Sequence, residues 1–512
     1  MDKLNQELDI GEIHFRDRWQ FELKSDFIPA PDVSKNTYQQ EFYLFIPNSL
    51  QINSNSYTKS NFYQDQTKFI RFKTPEYDLL QLNDLNHELS PLTRLTHLQR
   101  KNLTPQTIET IEYELKLFGN IFRTSLRNKV GRFIALLSGL HLKDVIAMNQ
   151  TIAAFCKEVA EVRTTFTKIE LQFIEKHREI KLHKNFYYVD EFLNNCVNYY
   201  LTALLEKIRV RKLELSELSD TEVSDLLVLE SKYAREHFSQ RSFSDNVFEN
   251  EYIVYRRGLL NKFILDALQL NSSISSVDQR FRNLIGATAA GVAMLFYMLL
   301  LAWNWESFAF NSVPFILFTV ILYILKDRVK EGMKTVSLSR MFKWFSDFTT
   351  NIRSLDGKEL FGKLQESFTF LDEKEVPKDI LIMRNREFHD VLEDIKRPEQ
   401  VIYYRKVINF RTPQAKQDPR LSGYNIILRF NIERFLYKAS DPYHNYLTFD
   451  SASRSLLDIR LPKVYHLNII MKNTFYDDKG KLMVELKKFR LIIDKNGIKH
   501  IQHIRREVPD EE

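Results

Sequence analysis

Cysteine is almost missing from this chain: Cys156 and Cys196 are the only two in 512 residues. Two thiols cannot build a disulfide framework or a cysteine-based zinc site, and both fall in helical patterns, as core thiols in a reducing cytoplasm do. Glycine is sparse as well, at 13 residues. A phosphate-cradling loop therefore has little raw material, and there is no Walker A loop, GxGxxG fingerprint, nucleophile elbow or HExxH pair. A strong excess of one charge sign is also missing. Lys plus Arg number 73 against 67 for Asp plus Glu, a net charge of +6 over the whole chain, too mild to argue for nucleic acid. The opening MDKLNQELDIGE is too polar for a signal peptide, so targeting is expected from an internal segment. No cofactor, metal or catalytic residue is singled out, and the chain leans away from being an enzyme.

What is present is 44% hydrophobic and 27% charged residues, the balance of folded protein rather than disorder. Two apolar runs stand out. Residues 284–303 read LIGATAAGVAMLFYMLLLAW and residues 308–325 read FAFNSVPFILFTVILYIL, neither with an Asp, Glu, Lys, Arg or His. A bilayer core about 30 Å thick needs roughly 20 apolar helical residues, so the two runs predict a transmembrane helical hairpin. The second run is shorter in purely apolar terms, and Ser312 with Pro314 marks an alternative helix start.

The flanks set the orientation. Arg280 and Arg282 precede the hairpin, Lys326, Arg328, Lys330 and Lys334 follow it, and Glu306 is the only charge between the runs. Positive residues stay inside, which predicts a multi-pass protein of the cell (inner) membrane with both termini cytoplasmic. Trp303 and Trp305 then belong at the outer interface, and Trp344, in a basic aromatic-bearing segment, at the inner leaflet or against the helical domain. Gly286/Ala290 and Ala287/Gly291 are small-xxx-small pairs that permit close helix packing, within the hairpin or between copies.

The rest of the chain divides around this hairpin. Residues 1–103 read as β-rich, with period-two alternation over 13–23 and further strands at 40–46 and 68–73. Residues 104–276 read as a helical cytoplasmic domain that starts at Thr104-Pro105 and is interrupted near Ser138-Gly139. Its residues Phe155, Val159, Val162, Phe166, Ile169 and Phe173 recur in a 4-3-4-3-4 spacing, a coiled-coil-like seam that predicts an antiparallel helical pair. Helices are also expected over 190–212, 221–237 and 245–270, with 271–276 as a linker. Residues 277–326 are the membrane hairpin and 327–400 a basic helical return. Residues 401–512 read as a second β-rich domain ending in an antiparallel meander, with Asn496-Gly497 as a hairpin turn and a bulge expected near Lys487-Lys488. The two β-rich ends, both placed inside, are candidates to share a sheet.

Candidate binding residues lie in that meander. Lys487, Lys488, Arg490, Lys499, Arg505 and Arg506 belong to a basic stretch suited to an acidic partner or an anionic leaflet, or simply to keeping a β-edge soluble. Only Phe489 supplies an interleaved aromatic, which argues against single-stranded nucleic acid. His500 and His503 fall on opposite faces of a strand, and His389, Asp390, Glu393 and Asp394 read as a solvated helix face. The sequence thus predicts an α+β integral membrane protein: a central helical bundle, β-rich cytoplasmic ends and one two-helix hairpin. The expected role is an oligomeric scaffold, sensor or adaptor working through an unidentified cytoplasmic protein partner. The alternative is an oligomeric pore or gated channel, against which the spans' few polar residues, Thr288, Tyr297, Thr319 and Tyr323, weigh.

Overall fold

The computed structural model describes residues 13–29, 35–141, 144–177, 179–213, 215–238, 247–276, 278–303, 312–341, 346–354, 357, 359–385, 399–411, 418–452, 454–476 and 480–504. The chain is a mixed α+β protein with eleven α-helices among these residues. The amino-terminal alternation becomes two strands, β1 (Ile13–Asp17) and β2 (Gln20–Phe27). The break falls at Asp17, whose Oδ1 accepts hydrogen bonds from the backbone N–H groups of Trp19 and Gln20 at 2.8 and 2.9 Å. The one polar residue in the apolar series is thus the one that turns the chain. Next come β3 (Lys35–Pro47), α1 (Lys59–Gln64) and β4 (Gln66–Phe72).

The helical part comprises α2 (Leu79–Asn83), α3 (Pro91–Gln99), α4 (Pro105–Ser138), α5 (Val145–Lys176), α6 (Ile180–Lys212), α7 (Thr221–His237) and α8 (Val247–Leu265). Thr104 caps α4 by accepting from Thr107 N–H at 3.2 Å, and Gly139 ends the helix. The 4-3-4-3-4 seam on α5 packs antiparallel on α4: Phe118 stacks on Phe166 and Phe133 meets Phe155, both with centroids 5.3 Å apart. Arg163 of α5 is buried among α6 and α7, paired with Asp190 and with Glu230.

After α8 the chain forms β5 (Asn271–Ser276), α9 (Asp278–Trp303), α10 (Val313–Met341) and β6 (Phe348–Arg353). Residues 271–276, expected as a linker, are a strand because β6 supplies a full ladder of partners; tertiary pairing overrides a Ser- and Asn-rich composition. Residues 327–400, expected as a helical return, are helical as far as Met341 and then give β6, β7 (Leu360–Leu371) and α11 (Lys378–Asn385). Period-two burial along β7 is the reason. The chain ends in β8 (Glu399–Arg411), β9 (Tyr424–Asn431), β10 (Tyr443–Asp450), β11 (Ser455–Pro462), β12 (Tyr465–Tyr476), β13 (Leu482–Asp494) and β14 (Gly497–Ile504).

Amino- and carboxy-terminal strands interleave. One sheet has the order β14-β13-β12-β3-β8-β7-β6-β5, a second the order β1-β2-β9-β4, and β10-β11 stand as a separate pair. The two larger sheets face each other across one core, in which Phe21, Leu23, Leu428 and Phe430 meet Phe42, Tyr404, Ile469 and Leu491. Phe62 of α1 wedges between them, 4.4 Å from Phe368 and 5.4 Å from Phe430. The far face of the large sheet is covered by Ile380 and Met383 of α11 against Val401 and Ile470. This second cover explains the apparent change of phase at Lys487-Lys488: the middle of β13 is buried on both faces, and its register shift lies at Ile492/Ile493 instead. A larger cluster joins the helical part to the open end of the sandwich, with Phe27, Phe72, Phe410 and Tyr424 in the same core as Phe118 and Phe166.

Helices α9 and α10 extend from the edge of the large sheet. Ala289, Ala293 and Leu322 are buried where the two helices meet, whereas most other apolar side chains described on them are exposed. Among the described residues one helical stretch is long and apolar enough to cross a membrane, Gly286–Trp303, with mean hydropathy 1.7 and 11% of it buried.

Candidate functional site

Each strand in the middle of the large sheet interrupts its inward apolar series with a polar residue. On β3 the inward residues Tyr38, Phe42, Leu44 and Ile46 are interrupted by Gln40; on β8, Ile402, Tyr404, Ile408 and Phe410 are interrupted by Lys406. On β7 the break is Glu366, between Leu364 and Phe368, and on β12 it is Asn473, after Ile469 and Met471. The register places these breaks in one row. Glu485 lies opposite Asn473, Asn473 opposite Gln40, Gln40 opposite Lys406 and Lys406 opposite Glu366. Directly opposed residues share a face, so five polar side chains form a ladder about 19 Å long from the exposed Glu485 into the sandwich interior.

The deep end of this ladder is charged. Glu366 and Lys406 are each only 1% exposed. Glu366 accepts from the Tyr404 hydroxyl and from the Lys68 ammonium, which reaches across from β4. Lys406 lies over the rings of Phe42 and Tyr404, 4.9 and 5.5 Å from their centroids. Burial pushes its ammonium down to about 7, with Lys68 acting in the same direction and Glu366 opposing. The Tyr404 hydroxyl is pushed well up by burial and by Glu366.

Beyond Glu366 the row reaches the root of the apolar hairpin. Phe348 lies opposite Glu366, and the preceding Asp347 donates its N–H to the Glu366 carbonyl at 2.6 Å. The Asp347 carboxylate takes Lys59 Nζ at 2.5 Å, the Tyr63 hydroxyl at 3.0 Å and Phe368 N–H at 2.8 Å. Helix α1 thereby fastens the point where the chain returns from α10.

The other end opens into a cavity of about 360 Å³ between β2, β3, β12 and β13. Gln40 Nε2 donates to Ser25 Oγ at 2.9 Å and to Asn473 Oδ1 at 3.0 Å, and Asn473 Nδ2 donates to Glu485 Oε2 at 3.3 Å. Gln40 is 2% exposed, yet its Oε1 has no hydrogen-bond partner among the described residues. Tyr38 and Phe475 form an aromatic wall, their rings stacked with centroids 6.0 Å apart. A second cavity of about 390 Å³, in the helical part, is lined by Arg123, Arg257 and Tyr199.

The residues singled out from the sequence are not brought together. In the hairpin, Gly286 and Ala290 are half-buried, and Ala287 and Gly291 are exposed; the buried small residues are Ala289 and Ala293. Trp303 is exposed, while Trp305 and Trp344 lie outside the described residues. In the meander, Lys488 is fully buried, with Nζ donating to the Arg384 carbonyl at 3.1 Å, because α11 covers that face. Lys487 points to the other face and pairs with Glu485 at 2.8 Å; Arg490 is half-buried, and Lys499 pairs with Asp494 at 2.9 Å. Arg505 and Arg506, like His389, Asp390, Glu393 and Asp394, lie outside the described residues. His503 stacks on Phe489 at 4.9 Å, and among the described residues no three of His, Cys, Asp and Glu group for a metal ion.

The ladder was missed in the sequence, although a signal existed: a charged residue at the inward phase of an otherwise apolar strand, as at Glu366 and Lys406. A further exposed feature is the β10-β11 pair. Phe449 and Leu456 oppose each other on one of its faces and Tyr446 and Ile459 on the other, all exposed. The chain matches no protein-family model, no curated protein and no solved structure.

Proposed function

We propose that this chain is a membrane-anchored cytoplasmic binding protein, a sensor or adaptor whose β-sandwich carries the recognition site and whose α9–α10 hairpin holds it to the bilayer. The observation that carries this reading is the pairing of Ser276 with Phe348 at the edge of the large sheet. The apolar hairpin is the connection between two neighbouring antiparallel strands, so the chain leaves and returns on the same side, as a re-entering two-helix anchor requires. The cations that flank it on both sides, Arg280, Arg282, Lys326 and Arg328, favour the cytoplasm for that side. The polar ladder connects the cavity to the hairpin root at Asp347, which suits a sensor. The exposed, doubly apolar β10-β11 pair suits assembly with a protein partner or a second copy.

Membrane fractionation of the full chain tests the anchor: it stays in the pellet after carbonate washing, and a Glu306→Cys variant reacts with an impermeant maleimide added outside intact cells. Cys156 and Cys196 do not interfere, since both are buried and burial pushes each thiol up to about 12. Release of the chain by carbonate, or labelling only after lysis, rejects the topology.

A further inference from the structure

We propose that the cavity between β2, β3, β12 and β13 binds a small molecule bearing a planar cationic N–H donor, an amidinium or guanidinium group, on a flat apolar body. This names the ligand for the binding role proposed above and rests on that reading for its sense, but its geometry needs only the sandwich.

A carboxylate only accepts, so the contact from Asn473 to Glu485 fixes Asn473 with Nδ2 toward Glu485 and Oδ1 toward Gln40. That oxygen in turn fixes Gln40 with Nε2 toward Asn473 and Ser25. Gln40 Oε1 is left as a buried acceptor without a partner among the described residues. Such an atom carries a desolvation cost that an N–H donor from a ligand removes. Turning the Gln40 amide would break the contacts of Nε2 with both Ser25 and Asn473.

Charge selects the kind of donor. Asp26 and Glu485 line the cavity, and among the described residues no Lys or Arg does. Each carboxylate already has a lysine nearby, Lys487 at 2.8 Å from Glu485 and Lys24 at 3.7 Å from Asp26, so a bound cation shares these groups rather than meeting bare charge. An anion finds no cation among the described residues that line the cavity. Shape selects the body: the Tyr38–Phe475 wall offers π-faces to a flat cation, and about 360 Å³ is the size of a small-molecule site.

The test uses the full-length protein in detergent micelles, with benzamidine as probe and benzoate as its anionic isostere, followed by saturation-transfer NMR titration. Benzamidine binds at least about tenfold more tightly than benzoate. Gln40→Met, which removes the acceptor, weakens benzamidine about tenfold by the same reasoning. Phe475→Leu removes one ring and weakens it severalfold. Glu485→Gln, on a side chain 47% exposed at the rim, weakens benzamidine without weakening benzoate, and serves where Gln40→Met fails to fold. Equal binding of benzoate, or unchanged benzamidine affinity in the folded variants, overturns the assignment. That result leaves the carbonate and labelling outcomes untouched, so failure of the site and failure of the anchor are told apart.

Discussion

Glu366 on β7 lies directly opposite Lys406 on β8, and both side chains are almost wholly inside the sandwich. The carboxylate has two direct partners, Lys68 and Tyr404, whereas the ammonium rests on aromatic faces. The two charges therefore differ in how well they are compensated, and the difference has measurable consequences.

The first concerns pH. Lys406 gives up its proton near pH 7 in the folded protein and near 10.5 when unfolded. Between those values the unfolded chain binds the additional proton, so raising the pH favours the folded state. The gain is absent below pH 7 and complete above 10.5, on the order of 5 kcal/mol in all. Chemical denaturation from pH 7 to pH 10 is expected to show this rise, and Lys406→Met is expected to flatten it and to be at least as stable as the parent at pH 7.

Glu366→Gln acts in the opposite direction. It leaves Lys68 and Lys406 in the interior without their carboxylate, and removing one member of a buried ion pair costs about 3–5 kcal/mol. A denaturation midpoint within error of the parent would show that the ladder's charge is not held as described. Combining Glu366→Gln with Lys406→Met recovers part of the loss, a coupling readable in a double-mutant cycle.

Gly497 tests the packing of the last hairpin on the first. Its φ is +127°, and a Cβ there would stand 2.1 Å from the Arg18 carbonyl oxygen, which also accepts Ile498 N–H at 2.7 Å. Backbone strain and a backbone clash act together, so Gly497→Ala is expected to destabilise by about 2 kcal/mol or more. Thermal melting of the variant provides the measurement.

The β10-β11 pair predicts an assembly phenotype. Leu447, Phe449 and Leu456 share one exposed face of a two-stranded unit that has no third strand among the described residues. Such hairpins are marginal alone and their apolar patches mark contact sites. Replacing the three with Ser is expected to lower the mass of the detergent-solubilised protein in light scattering, with its melting temperature nearly unchanged. An unchanged mass assigns the pair to another partner.

Much of the secondary structure was legible because its causes are local. Thr104-Pro105 starts α4, and the seam on α5 meets α4 where its spacing indicated. The strands at 40–46 and 482–493 lie inside β3 and β13, and 68–73 coincides with β4 as far as Phe72. Elements whose cause is a distant partner were not legible. The 271–276 segment is a strand only because β6 lies beside it, and Lys488 is buried only because α11 lies over it.

The sequence by itself determined the α+β character, the helix boundaries set by caps and the two uncharged apolar runs, since each depends on neighbours within a few turns of the chain. Only the tertiary structure decided that strands from both ends interleave in one sandwich. It also decided that Asn473, Gln40, Lys406 and Glu366 stand in one row. The physical reason is register: four residues, from four strands spread over more than four hundred positions, become neighbours only when backbone pairing aligns them. No local propensity carries that alignment.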